Sequence, residues 1–353
     1  MPAPRPANKD ELGSRFAAAM QAAGAPWPGV VAVSGGSDSL GLMFLLRDWA
    51  KKTQRPLPWV LCVDHQLRPG SSSEARKVSR WAKAAGLPVK ILVRDCDPPR
   101  ANIESAARDA RYRLMGEWAV AQGIAAVYVG HTRDDQAETF LLRLARGSGV
   151  DGLSAMRAVA PYPLARFPGL ALVRPMLGIE RETLRNYLST RSQVWLDDPM
   201  NADPRFARVK IRNAWPVLEA MGLSKARIAD AAMHLARARA ALDVASEAIL
   251  ARGCRFEGTE ALIDPAALVS APRELGLRAL AQILMAVSLN AYRPRFERLE
   301  RLLGVISEGT LRRGCTLHGC RIAPAPLRRA FFGQGTLLIR REGFRHNTME
   351  TKN

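Results

Sequence analysis

Val30-Val31-Ala32-Val33-Ser34-Gly35-Gly36-Ser37-Asp38-Ser39 decides the fold. Its β-branched residues suit a short buried strand. Leu40, Leu42, Met43, Phe44, Leu45, Leu46 and Trp49 then continue as a helix too apolar to lie on a surface. Between the two, Gly35 and Gly36 let the backbone turn tightly and approach a ligand with no side chain in the way. The helix points free N–H groups and the positive end of its dipole back at the turn. Such a turn holds an anion, most often phosphate. Ser34, Ser37 and Ser39 add hydroxyl donors, and Asp38 is suited to a divalent cation that bridges phosphates.

The stretch lacks the lysine of G-x-x-x-x-G-K-[ST] and the third glycine of G-x-G-x-x-G, so neither of the commoner nucleotide loops fits. It resembles the S-G-G-x-D-S pyrophosphate loop of the ATP pyrophosphatases, which cleave ATP between the α- and β-phosphates to adenylate a substrate oxygen. Working outward, a helix is predicted over 10–23, and strands over 59–63, 89–93 and 125–129. Helices over 72–85, 103–122 and 134–145 follow them, with glycines at the ends. Strands alternating with helices predict an α/β fold with a doubly wound parallel sheet. Ligands of such sheets sit at the carboxyl ends of the strands, and every polar cluster of this chain falls at one of those ends.

Asp64-His65-Gln66-Leu67-Arg68 follows the second strand, with Arg68 a candidate contact for phosphate or RNA. Glu104, Arg108 and Arg111 are spaced by four and three and share a helical face, which also suits a solvated, salt-bridged surface. After the fourth strand come Gly130-His131-Thr132-Arg133-Asp134-Asp135-Gln136-Ala137-Glu138. Three carboxylates there open a helix. Thr132 with Asp135 resembles a capping box, and acids favour that end of a helix. Capping needs one or two of them, and the remainder predict an acidic pocket for an amine or Mg²⁺. Arg146 to Leu153 form a Gly-rich loop, suited either to mobility or to a close approach to a backbone, and a helix is predicted over 180–190. Arg208 and Arg212, four apart, present two guanidinium groups on one face.

The chain has 353 residues, enough for a sizeable core and two domains. Lys and Arg number 52 against 33 Asp and Glu, a net charge of +19 that argues for a polyanionic partner, nucleic acid ahead of acidic membrane. Both halves are basic, so the polyanion is expected to lie across both. Cys62, Cys96, Cys254, Cys315 and Cys320 form no C-x-x-C pair and read as small residues of a reduced protein. No apolar run approaches a membrane span and the Pro-rich start has no signal-peptide core, so the expected location is cytoplasmic, away from membranes. From about residue 224 the pattern becomes Ala/Arg-rich and helical, with helices over 224–252, 265–288 and 293–307. Short strands are predicted over 316–322, 329–332 and 337–340. The predicted domains are 1–216, catalytic, and 217–353, mainly helical with a small terminal sheet.

S-G-G-S-D-S, D-H-Q-L-R-P, E-S-A-A-R-D-A-R-Y, G-H-T-R-D-D-Q-A-E-T, R-G-S-G-V-D-G-L, the D-P-x-N…F-x-R segment and the closing T-L-H-G-C occur in that order. Together they resemble the tRNA(Ile)-lysidine synthetase family, whose first domain is an adenine nucleotide alpha hydrolase-like PP-loop domain. The resemblance implies ATP and Mg²⁺, a tRNA(Ile) with a CAU anticodon, free L-lysine, and an adenylated wobble cytidine displaced by the lysine amine. It implies that Ser34, Gly35, Gly36, Ser37, Asp38 and Ser39 hold the phosphates, with Asp38 on the metal. Asp64, His65, Gly130 and His131 would then flank the nucleotide. Glu104, Asp134, Asp135 and Glu138 would receive lysine, and Arg108, Arg111 and Arg208 would stabilise phosphate charge, with Asp134 and Asp135 also catalytic. The second domain is expected to bind tRNA, and a homodimer is left open. Two positions depart from the family pattern: Val209 stands where Asn usually follows the arginine, and Met200 where Ser usually precedes Asn201. A tRNA-thiolating enzyme would need reactive or cluster-binding cysteines, an amidotransferase a glutaminase domain before Ser34, and an RNA-binding module no intact Asp38, Asp134 and Asp135.

Overall fold

The computed structural model describes residues 9–66, 70–94, 103–197, 205, 207–290 and 292–343, with backbone alone for Lys9 and 103–105. Arg68, Cys96, Met200 and Asn201 lie outside the described residues. Helix α1 (Lys9–Ala22) precedes strand β1 (Gly29–Ala32), and the Ser/Gly turn leads into α2 (Ser37–Lys52). Then follow β2 (Trp59–Asp64), α3 (Ser71–Ala84), β3 (Val89–Val93), α4 (Ile103–Ala121), β4 (Ala126–Tyr128) and α5 (Arg133–Leu144). Next come α6 (Val150–Leu153), β5 (Val159–Pro161), β6 (Ala171–Val173), α7 (Arg181–Ser189), α8 (Ala207–Ala220) and α9 (Lys225–Gly253). The strands form one sheet in the order β3-β2-β1-β4-β6-β5, parallel except that β5 runs antiparallel to β6.

Alternation along each strand explains why both faces of this sheet are covered. Val31, Val60, Cys62, Ala126, Tyr128 and Val173 face a core built with α1, α2, α3 and α7. Their neighbours Val30, Leu61, Val127 and Leu172 face the opposite core, with Tyr112, Met115 and Ala119 of α4. In α2, Leu40, Leu42, Met43 and Leu46 are fully buried, each worth about 2 kcal/mol relative to exposure. Strand order reverses at β1: the chain moves out to β2 and β3 and returns to β1's other side as β4. The crevice above β1 and β4 is therefore the switch point where doubly wound sheets bind ligands.

The chain divides into compact units Met1–Ala236 and Arg237–Asn353. The predicted break after 216 falls inside α8, at Pro216. Trp215 and Ile228 pack with Ala137 of α5, beside Ile211 and Leu218, which fastens α8 and the start of α9 to the first unit.

In the second unit, β7 (Cys254–Glu257) and β8 (Glu260–Ile263) are followed by α10 (Pro265–Val269), α11 (Arg273–Ser288) and α12 (Phe296–Ser307). Then come β9 (Cys315–Leu317), β10 (Cys320–Pro324) and β11 (Leu337–Arg341), making an antiparallel sheet in the order β7-β8-β11-β10-β9. Leu280, Ile283, Leu284 and Leu303 pack on Ala261, Ile263, Ile322 and Ile339, a helical layer on one sheet face. Pro272 splits the helix predicted over 265–288. The strand predicted over 316–322 is a hairpin, because His318 and Gly319 both take positive φ, the two-residue turn that matches strand twist. Residues 329–332 hold no strand: a 3₁₀ turn at Leu327–Arg329 leads into a turn at Phe331 and Phe332. Among the described residues no helix is long and apolar enough to cross a membrane.

Candidate active site

The turn after β1 is held by its own hydroxyls. Ser39 Oγ donates to the Gly36 carbonyl at 2.9 Å and accepts from the Ser34 N–H at 3.2 Å. Gly35 takes φ +95°, and a Cβ there would lie 2.6 Å from Leu196 Cδ1. The Leu196 N–H donates to the Gly35 carbonyl at 2.9 Å, so the segment before α8 braces the turn. Gly130 lets the turn after β4 come against the first: a Cβ there would sit 2.9 Å from the Asp38 carbonyl oxygen.

Asp38 and the acids of α5 converge on one residue the sequence reading did not single out, Arg181. Its Nε donates to Asp38 Oδ2 at 2.8 Å and its Nη2 to Asp135 Oδ1 at 3.3 Å, with Nη1 3.7 Å from Glu138 Oε1. Its backbone N–H donates to Asp134 Oδ2 at 2.9 Å. The predicted acidic pocket is therefore not a set of free carboxylates. Arg212 forks onto Glu138 at 2.7 and 3.3 Å, and Arg208 Nη1 reaches Asp135 Oδ1 at 3.3 Å. Lys225 Nζ lies 3.2 Å from Asp134 Oδ1. Four cations from α7, α8 and α9 meet four carboxylates from α2 and α5, because buried carboxylates demand partners. The capping reading also holds: Asp135 Oδ2 accepts from the Thr132 N–H and Oγ1, both at 2.8 Å.

Burial pushes the carboxyl of Asp38 above its ordinary range, more than Arg181 lowers it. For Asp135 burial pushes upward too, but Arg181, His131 and the Thr132 hydrogen bonds outweigh it and hold the carboxyl low. Arg181 rises above its ordinary range, since Asp135 and Asp38 overcome the effect of burial.

Asp64 and His65 form a separate group. Asp64 Oδ1 accepts from Ser71 Oγ at 2.7 Å and the Gln66 N–H at 3.1 Å, and Oδ2 accepts from Ser72 Oγ at 2.5 Å. Asp64 thus organises the start of α3. His65 Nε2 accepts from Arg111 Nε at 3.3 Å, so its proton sits on Nδ1, a buried donor with no protein partner. Burial first, then Arg111 and Arg94, lower the pKa of His65 to about 4. His131 is lowered to about 4 by burial and by Arg174, Arg208 and Arg108. Arg108 stacks on Tyr112, 5.0 Å from the ring centre. The Glu104 side chain lies outside the described residues. The Gly-rich loop, open in sequence to mobility or to close backbone approach, holds a helical turn, α6, anchored by Arg143 Nη1 on the Gly152 and Ala155 carbonyls at 2.7 and 2.9 Å. Arg181 carried one faint signal, an arginine opening an amphipathic helix; its carboxylate partners are over 40 residues away in sequence and invisible to spacing.

A PP-loop domain model matches residues 15–218. The tRNA(Ile)-lysidine synthase of Ruegeria pomeroyi is 38% identical over 83% of this chain and 68% of its own. That of Methylobacterium nodulans is 40% identical over 93% of this chain and 99% of its own. Among solved structures, the U34-tRNA thiolase NcsA of Methanococcus maripaludis, with its [4Fe-4S] cluster, superposes with a TM-score of 0.51 at 16% identity, over 64% of this chain and 80% of that one, a likeness of fold. With more than half its length in the PP-loop domain and near full-length relatives at such identities, the chain belongs to the tRNA(Ile)-lysidine synthase family.

Proposed function

We propose that this chain is the ligase that converts the wobble cytidine of a CAU-anticodon tRNA(Ile) to lysidine, using ATP and free lysine. The observation that carries the reading is the meeting, at the β1–β4 switch point, of a hydroxyl-rich phosphate turn with the acid-rich start of α5. The oxygen on carbon 2 of the cytidine attacks the α-phosphorus of ATP. The O–P bond forms as the bond to the bridging oxygen breaks, and pyrophosphate leaves with the electron pair. The lysine ε-amine then bonds carbon 2, and AMP departs with the former cytidine oxygen. An ammonium of pKa about 10.4 must lose a proton before it attacks, and a carboxylate beside it binds the charged form or accepts that proton. The roles follow from what each group offers.

The free N–H groups at the start of α2 and the hydroxyls of Ser34, Ser37 and Ser39 suit the phosphates. Among the described residues no three acids, histidines or cysteines form a metal cage. A Mg²⁺ that bridges phosphates needs only one or two carboxylates, and Asp38 with the Ser37 hydroxyl beside it at 3.2 Å fits that demand. When bound, the ion neutralises charge on the phosphate oxygens. Asp134, Asp135, Glu138 and Glu104 are the candidates for the lysine ammonium, which enters by taking the place of a guanidinium on a carboxylate. Arg208 is the candidate to yield, being half-exposed with its contacts at 3.3 and 3.9 Å. Arg108 and Arg111 are the candidates for phosphate charge, and His65, His131, Gly130 and Asp64 are the candidates to line the cleft that takes the nucleotide.

Thiolation is disfavoured. Burial pushes the thiol of Cys62 up to about 12 and those of Cys254 and Cys320 up to about 11, whereas reactive cysteines are lowered. Incubation with ATP, radiolabelled lysine and a panel of tRNA transcripts tests the proposal. Label should enter only the isoleucine acceptor with a CAU anticodon, and label in any other transcript or in none overturns it.

A further inference from the structure

The cleft has a second side, on which positive charge is left without carboxylates. Strands β4 and β6 are parallel neighbours, with Tyr128 opposite Val173 and the Val129 N–H donating to the Val173 carbonyl at 2.9 Å. His131 and Arg174 therefore leave the sheet side by side. Arg174 is tied down by its own backbone: its N–H donates to the Ala158 carbonyl at 2.7 Å and its Nη1 to the Arg157 carbonyl at 2.9 Å. Its Nε is buried with no hydrogen-bond partner, and so is Nδ1 of His131. Among the described residues neither Arg174 nor Arg108 meets a carboxylate, whereas Arg181, Arg208 and Arg212 all do. Carbonyl acceptors satisfy part of a guanidinium but do not cancel its charge, and a half-buried charge such as that of Arg174, without a counter-ion, carries part of the cost of a buried one. Burial lowers the pKa of Arg174, with Arg108 and Arg143 adding to it. A site kept at that cost is suited to an anion that arrives with the substrate.

We propose that Arg174, with Arg108 and His131, forms a phosphate subsite separate from the turn after β1. Two sources share that chemistry: a phosphodiester of the RNA next to the wobble nucleotide, and a phosphate of the nucleotide itself. The RNA is favoured, because the hydroxyls and N–H groups of the first turn already serve a nucleotide. A guanidinium that donates Nε and Nη2 to one phosphate would fix the strand on either side of the cytidine. The inference rests on the tRNA reading of this site for the identity of its ligand, though not for the existence of the subsite.

The test measures binding of an anticodon stem-loop RNA and of ATP, without lysine, to wild type, Arg174→Ala, Arg174→Lys and Arg108→Ala. Arg174→Ala should lose about tenfold in RNA affinity and about one unit of salt slope, with ATP affinity within twofold. Arg174→Lys should recover part of that loss, and Arg108→Ala should lose about threefold. A tenfold loss for ATP with RNA unaffected assigns the same subsite to the nucleotide. Folded Arg174→Ala and Arg108→Ala with both affinities unchanged overturn the proposal. Loss of both affinities with a lowered Tm, and no recovery in Arg174→Lys, makes Arg174 a structural brace and also overturns it. Arg108, exposed on α4, carries the test if Arg174→Ala does not fold. Lysine incorporation by the same wild-type preparation separates the two ideas: an inactive chain with Arg174-dependent RNA binding keeps the subsite and loses the lysidine assignment.

Discussion

At the scale of the residue, Arg181 does what the spacing of the acids cannot. One guanidinium keeps Asp38, Asp135 and Glu138 together although they come from two helices. Removing one partner of a buried ion pair leaves charge uncompensated and costs about 3 kcal/mol. Arg181→Ala should therefore lower Tm and also reduce kcat/KM for lysidine formation by about 100-fold, since the freed carboxylates repel the phosphates of ATP. Arg181→Lys, a point charge unable to fork, should recover stability better than activity, and steady-state kinetics beside thermal melts measure both. Equal activity in Arg181→Ala and wild type would remove it from the site. The two histidines bear on pH. Both have folded pKa values of about 4, below the ordinary 6.5. Between those values the unfolded chain binds protons that the folded chain does not, so stability falls as pH drops from 6.5 toward 4, by up to about 1.4 kcal/mol per pH unit for each histidine. Asp38, raised in the fold, works the other way at the acid end of the window. Melts from pH 7 to 4.5 should show a steeper fall for wild type than for the His65→Asn/His131→Gln pair. The site was half legible in the sequence. The Ser/Gly turn, Asp38 and the α5 acids declare themselves by local pattern, whereas Arg181, Arg174 and Lys225 join them only through the fold.

The element scale shows why Arg181 arrives where it does. Asp38 meets Arg181, Leu184 lies 3.1 Å from where a Cβ on Gly41 would stand, and Asp48 meets Arg191. Each pair is separated by the same 143 positions, so α2 and α7 run parallel and in register, pinned at both ends and closely packed between. Tyr187 Oη donates to Asp48 Oδ2 at 3.2 Å and closes the far end. Gly41→Val should drive against Leu184 and cost about 1–3 kcal/mol as overpacking. It should also lower activity, because α7 carries Arg181 at its start. Leu184→Ala alone opens a cavity and costs about 2–5 kcal/mol. Combined, the two should cost less than their sum by about 1 kcal/mol or more, and a double-mutant cycle of denaturant melts measures the difference; strict additivity would mean that the helices do not meet there. Elements of the first unit were readable because strand and helix periods differ and glycines mark the ends. The second unit was less so. The β7–β8 hairpin has only four residues in each strand and follows a 29-residue helix without a proline or an asparagine turn. A strand is predicted over 329–332, yet Phe331 lies beside Arg255, 4.3 Å from ring centre to guanidinium, in a turn.

For the molecule as a whole, charge is the quantity that both units share. Residues 1–236 carry 33 basic and 22 acidic groups, and residues 237–353 carry 19 and 11, so each unit is separately positive, by 11 and by 8. In the second unit part of that charge is arranged against the interest of stability. Arg321 of β10 and Arg340 of β11 are direct cross-strand partners on the sheet face turned away from Ile322 and Ile339. Like charges placed opposite each other destabilise a strand pair, and an RNA backbone on that face would relieve them. Arg321→Ala should then leave Tm unchanged or raise it by a degree or two while weakening tRNA binding severalfold, opposite signs that a packing role cannot produce. Truncation tests the unit itself. A chain stopped at 216 loses Lys225, Ile228 and Asp230, which partner Asp134, Ala137 and Arg133 of the first unit, and should not bind ATP. A chain stopped at 236 keeps them and should bind ATP as the full chain does. Its tRNA affinity should be weaker and should fall less with salt, because fewer counterions are released; a difference of about three in the slope of log affinity against log salt corresponds to roughly three phosphate contacts. Equal slopes for the 236-residue and full chains, with equal ATP affinity, would leave the second unit with no part in holding RNA.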